Sequence, residues 1–187
     1  MTKEILIPEF ILGVDPGASG AVSVIETASL SHVESADFKC KPSEAKSLAL
    51  ILDSMVKKYG AKGTCALAIE EVHAIFGTGA KSTFNFGFNL GLLHAVLQLN
   101  SIPFHLVKPK VWQNTLGLPT FKDTTVAERK TMIAEAVEAA IPTADIRGPK
   151  GGAMDGRSDA LGIAHHLYVQ YTSEGLAETN PYMVYTL

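Results

Sequence analysis

Two cysteines, one tryptophan, a 19% share of charged residues and no apolar run of membrane-spanning length are the shortages of this 187-residue chain. Cys40 and Cys65 stand alone, without a C-x-x-C pair or a histidine at ligand spacing. That excludes a zinc module or a disulfide framework and leaves two reduced, packed thiols. No stretch approaches the roughly 20 apolar residues that a bilayer crossing needs, so no membrane partner is expected. The opening residues lack the long apolar region and small-residue cleavage site of a secretory leader, and the expected location is the cytoplasm. Internal repeats and low-complexity tracts are also missing. What remains, 47% hydrophobic, has the composition of a globular chain with a sizeable core. We expect a single domain over 1–187, with its core at about 10–172 and a tail at 173–187.

Excess positive charge is lacking too: the net charge is −3, which argues against a protein that binds polyanions through bulk charge. Four acids, however, sit where strands and helices end: Asp15, Glu70, Asp155 and Asp159. Setting these four aside from the 19 acids leaves 15, against 16 basic residues. The basic residues cluster as Lys39/Lys41, Lys57/Lys58/Lys62, Lys108/Lys110 and Arg147/Lys150/Arg157. A local basic surface is compatible with that pattern, although such runs are ordinarily a solvated face.

The apolar run at 10–14 reads as a strand buried on both faces. Pro16-Gly17-Ala-Ser-Gly20 breaks it, and 21–25 returns as the second arm of a hairpin. A third strand is expected at 32–38, a helix at 42–58, a fourth strand at 64–70 and a helix at 82–99. Gly87 and Gly91 lower helical propensity in that last element, which points to a bend or a close backbone approach. Phe84, Phe86 and Phe88 read mostly as core. A fifth strand at 103–107, a short helix at 109–116, a helix at 125–140, a Gly/Pro-rich loop at 142–152 and a final helix at 155–171 complete the order. Three antiparallel strands followed by alternating helix and strand predict an α/β fold: a mixed five-stranded sheet with helices on both faces.

Asp15 and Glu70 end strands that can be neighbours in such a sheet, and ligands gather at such strand ends. A carboxylate at the tip of a buried strand is costly unless a cation sits there. Asp155 and Asp159 are one helical turn apart, on one face. Each has a plain alternative: Asp-Pro-Gly is a good turn, and Asp155 is well placed to cap a helix. Glu71 points away from Glu70 by strand alternation. Carboxylates without thiol or imidazole partners favour Mg²⁺ or Mn²⁺. Two such ions roughly 4 Å apart are the usual device for phosphodiester cleavage. His73, close to Glu70, is a candidate proton carrier; His165 and His166 read as packing or surface residues.

Together, Gly13-Val-Asp15-Pro-Gly17-Ala-Ser-Gly20, Ile69-Glu70-Glu71-Val72 and Asp155-Gly-Arg-Ser-Asp159-Ala-Leu-Gly-Ile-Ala164 resemble, in order and spacing, the RuvC family of Holliday-junction resolvases within the RNase H-like superfamily. Val107-Lys-Pro-Lys-Val-Trp112-Gln-Asn-Thr-Leu-Gly117 is similar to a segment of the phage-type members. The resemblance implies a homodimeric, divalent-metal-dependent endonuclease that nicks opposed strands of a four-way DNA junction, in the host cytoplasm if phage-encoded. Asp15, Glu70 and Asp159 match three acidic ligands. In many members the fourth acid or histidine stands three residues before the last Asp, where this chain has Gly156; Asp155 is the nearest substitute. Gln113-Asn114 stand near an expected basic residue, for which Lys108, Lys110 or Lys130 can compensate. Candidate DNA contacts are Phe76, as an aromatic wedge between bases, with Lys81, Lys108, Lys110, Lys130, Arg147 and Lys150. Two rival readings are a phosphotransfer fold of the actin and sugar-kinase type, and a junction-binding protein without catalysis.

Overall fold

The computed structural model describes residues 7–39, 41–71, 79–99, 104–122 and 124–173. Phe76 and His73 lie outside the described residues, as does the expected tail beyond Ser173. The strands are β1 (Phe10–Asp15), β2 (Ala21–Glu26), β3 (Ser31–Asp37), β4 (Cys65–Glu70) and β5 (His105–Val107). The helices are α1 (Ala45–Gly60), α2 (Ala80–Leu99), α3 (Pro109–Thr115), α4 (Val126–Ala140) and α5 (Asp155–Thr172). A 3₁₀ turn at Pro42–Glu44 leads into α1, so the α-helix starts later than the sequence pattern placed it.

The sheet order is β3-β2-β1-β4-β5. β1 pairs antiparallel with β2, which pairs antiparallel with β3; β4 lies parallel to both β1 and β5. The apolar β1 is therefore the centre of the sheet, where both faces need burial. Its alternate residues serve two cores. Ile11 packs with Ile25, Ala68 and residues of α3, α4 and α5. Leu12 and Val14 pack with Val22, Val24, Ile69 and residues of α1 and α2. Helices thus cover both faces, as the α/β reading expects.

α5 lies directly on β1 because Gly13 permits it: a Cβ there would stand 2.0 Å from the Ala160 carbonyl oxygen. Gly13→Ala is expected to cost about 3 kcal/mol, since neither backbone can give way; the urea midpoint measures it. Gly156 does the same at the second residue of α5, where a Cβ would come within 2.3 Å of the Ser19 carbonyl oxygen. The position three residues before Asp159 is therefore closed to any side chain.

Three expectations are corrected. Phe84 is 69% and Phe88 36% exposed, so among the described residues these aromatics are not core. Gly87 and Gly91 likewise have no atom within 4 Å of an added Cβ among the described residues, so no close approach there explains them. And Asp155 does not cap α5: Met154 is the N-cap, without a side-chain hydrogen bond.

Candidate functional site

The parallel register pairs Val14 of β1 with Ile69 of β4. The next residue on each strand is an acid, so Asp15 and Glu70 end side by side. Alternation turns both toward α5, on the side of Gly13 and Ala68. α5, seated on β1 through Gly13, brings Asp159 over them and Asp155 one turn before. Asp15 therefore feels the charges of Glu70 and Asp155, and Asp159 those of the other three.

The electrostatics record the cost of that gathering. Asp15 is 7% exposed. Burial first, then the charges of Glu70 and Asp155, push its carboxyl up to about 8, against the pull of the Gly17 N–H. That amide donates to Asp15 Oδ1 at 2.8 Å. Asp159 is held well above the carboxylate range by burial, then by Asp15, Glu70 and Asp155, with Arg129 opposing. Burial also raises Glu70, opposed by Trp112 and Arg129. Carboxylates crowded at low dielectric favour either protonation or a cation. An all-oxygen donor set with no thiol fits a hard divalent ion.

Among the described residues, no three His, Cys, Asp or Glu side chains already converge closely enough to hold an ion. Three of the four acids are engaged by local partners. Asp15 accepts from the Gly17 amide, Glu70 Oε1 from the Trp112 indole N–H at 3.0 Å, and Asp155 from Lys130.

The basic candidates divide. Lys130 reaches the site through Asp155. It is carried by α4, whose start is fixed by a capping box: the Glu128 amide donates to Thr125 Oγ1 at 3.2 Å and the Thr125 amide to Glu128 Oε2 at 2.7 Å. Arg129, on the same turn, faces Glu70 and Asp159 and lies 6.0 Å over the Phe121 ring. Sequence reasoning passed over Arg129 and Trp112. The Thr125-x-x-Glu128 box, which sets the phase of α4, was the available signal for the first.

Lys108 and Lys110, exposed at the start of α3, follow β5, whose Val107 pairs with Glu70. Lys122 is exposed further along, and no acid lies between 104 and 122. Lys81 is exposed in the first turn of α2. The Arg147/Lys150/Arg157 cluster dissolves. Glu138 engages Arg147 at 2.6 and 2.5 Å, while Asp37 and Asp145 engage Arg157 at 2.8 to 3.2 Å. Lys150 stays exposed.

No family model matches the chain, and no curated protein matches it. Solved structures do. The mixed sheet with its acid-bearing strand ends and a helix across β1 has the RNase H-like architecture. Within that class it is RuvC-like. T. thermophilus RuvC in complex with a Holliday junction substrate superposes with a TM-score of 0.63 at 16% identity, over 86% of this chain and 93% of that one. A second Thermus thermophilus RuvC structure gives 0.61 at 17%, over 86% and 94%. At such identities the likeness establishes the fold. No described helix is long and apolar enough to cross a membrane.

Proposed function

We propose that the chain is a divalent-cation-dependent crossover junction endodeoxyribonuclease, a single nuclease domain that resolves four-way DNA junctions by paired nicking. The observation that carries this reading is the meeting of Asp15, Glu70, Asp155 and Asp159 at one end of the sheet, with burial and mutual repulsion holding Asp15 and Asp159 far above the usual carboxylate range. The RuvC-like fold, seen elsewhere bound to a Holliday junction, supports it.

In this reading the four carboxylates hold Mg²⁺ or Mn²⁺, two ions per site, and the ions supply an activated water and charge stabilisation at the departing 3′-oxygen. The chain's own residues bind and orient. The Gly17 amide fixes Asp15. Lys108 and Lys110 carry phosphate beside Glu70, with Lys81 and Lys150 as outer contacts. Lys130, tied to Asp155, stands where a phosphate can replace that carboxylate. Arg147, engaged by Glu138, is the weakest of the candidates.

The partner chain in this reading is a second copy. Phe84, Phe88, Gly91, Ala95 and Leu99 fall on one stripe of α2. Leu99 is 85% exposed, and Lys81 is the only charged residue of the helix. An uncharged stripe of this kind can meet itself across a two-fold axis without like-charge repulsion. Phe88→Glu is expected to give a monomer by sedimentation. It should keep cation-dependent nicking of single strands but lose near-simultaneous nicking of both.

A synthetic four-way junction, incubated with and without Mg²⁺ or Mn²⁺ and resolved on a denaturing gel, tests the reading. Symmetric nicks that vanish in EDTA support it. Full cleavage in EDTA, or equal cutting of linear duplex, rejects it. Junction binding without any cut selects the non-catalytic reading, and nucleotide hydrolysis the phosphotransfer one.

A further inference from the structure

The one tryptophan of the chain has no part in the chemistry above, yet it touches the site. Trp112 is 1% exposed. It sits in the middle of α3, which starts at Pro109 right after β5. Its ring lies against α5 where that helix has Gly162: a Cβ there would stand 2.9 Å from two ring atoms. Thr115, the last residue of α3, shares a 2.7 Å hydrogen bond with the buried His166 of α5. The indole is thus held from two sides, by a missing side chain below and a polar clasp beyond. Its only polar atom, Nε1, donates to Glu70 Oε1 at 3.0 Å.

A Glu side chain has three rotatable bonds, and its two oxygens are equivalent until something distinguishes them. We propose that Trp112 is a positioning residue for the cation site: its indole N–H commits one oxygen of Glu70 and leaves the other as the one a divalent ion takes. The inference rests on the acidic cluster being a cation site. Donors behind a ligand that set its orientation are typically worth about 10–100-fold in metal affinity. A packed indole is well suited, because its N–H donates and cannot accept, so it cannot compete for the ion. An N–H donor facing a carboxylate also strengthens as the acceptor ionises.

The test is Mn²⁺ binding by the full chain, followed by the electron paramagnetic resonance of the free ion, in wild type, Trp112→Phe, Glu70→Gln and the double variant. Phe keeps an aromatic ring against Gly162 and removes the donor. Trp112→Phe is expected to weaken Mn²⁺ by about 10-fold or more. In the Glu70→Gln background the same change is expected to do nothing beyond about twofold, because the oxygen it oriented no longer carries the charge. A merely structural role would weaken both backgrounds alike, and that result overturns the proposal. So does a Trp112→Phe chain that binds Mn²⁺ as tightly as wild type while Glu70→Gln does not. If Glu70→Gln itself binds as wild type, the cation-site reading fails and the inference goes with it.

Should Trp112→Phe not fold, the unaltered tryptophan answers. With a single tryptophan in the chain, the indole N–H gives one resonance of its kind. It is expected to shift on Mg²⁺ addition in wild type, and to start displaced and stay unmoved by Mg²⁺ in Glu70→Gln. An indole signal indifferent to both changes overturns the proposal.

Discussion

Asp15→Asn is expected to abolish junction nicking, by about 10³-fold or more, while junction binding persists. The loss is set at that level because even groups that only orient metal ligands are worth about 10–100-fold, and Asp15 is the most buried of the four acids. Binding should persist because Lys108, Lys110 and Lys81 are exposed and none is bonded to Asp15. Removing a negative charge near the phosphate path can only relieve repulsion. Asp159→Asn should match it. Asp155→Asn should be milder, since that side chain is 38% exposed and already neutralised by Lys130. Single-turnover nicking and junction affinity, measured on the same preparations, separate the two effects. Asp15→Asn cutting at the wild-type rate would remove Asp15 from the site.

Particular residues explain how much of this was legible in the sequence. β1 was, because a strand buried on both faces has to be apolar at every position, and 11–14 has no polar side chain. The meeting of Asp15 and Glu70 followed from two strands ending in acids and needing to be parallel neighbours. α2 was misjudged for a physical reason. Apolar residues at helical spacing do not say which face the rest of the chain covers, so Phe84 and Phe88 read as core although both are exposed. The basic cluster at 147–157 failed differently. Neighbours in sequence were claimed by distant acids, Arg157 by Asp37 across 120 positions. Trp112 and Glu70 are 42 apart. Their hydrogen bond depends on the Gly162 gap in α5, which no local pattern announces.

Without divalent ions the protein should grow less stable as pH rises from 6.5 to 8, and the ions should remove that slope. Asp15 takes up its proton in the folded state at about 8, far above a carboxyl of the unfolded chain. The folded state therefore holds a proton that the unfolded state has lost, and each pH unit of rise costs about 1.4 kcal/mol. Stability tied to this group is complete below about pH 4 and lost by about pH 8. The lower half of that range is confounded. Burial lowers His166 to about 4, so from 6.5 downward the unfolded chain gains a proton that folded His166 refuses, and stability falls toward acid. Above 6.5 the share of the histidine fades as the imidazole of the unfolded chain also becomes neutral, and the raised carboxyls of Asp15, Asp159 and Glu70 come to set the slope. The span amounts to about 2 kcal/mol, or roughly 4–8 °C of melting temperature for a chain of this size. Saturating Mg²⁺ or Mn²⁺ should flatten or reverse the slope, because the ion needs the ionised carboxylates that bare folding disfavours. At about 100 times its dissociation constant it should add about 2.7 kcal/mol. Asp15→Asn supplies the control. Its metal-free form should melt above wild type at pH 8, with little slope and little response to Mg²⁺. Thermal melts in EDTA and in Mg²⁺ at pH 6.5, 7.2 and 8 measure all of this. A slope that survives Asp15→Asn would place the buried proton on another group.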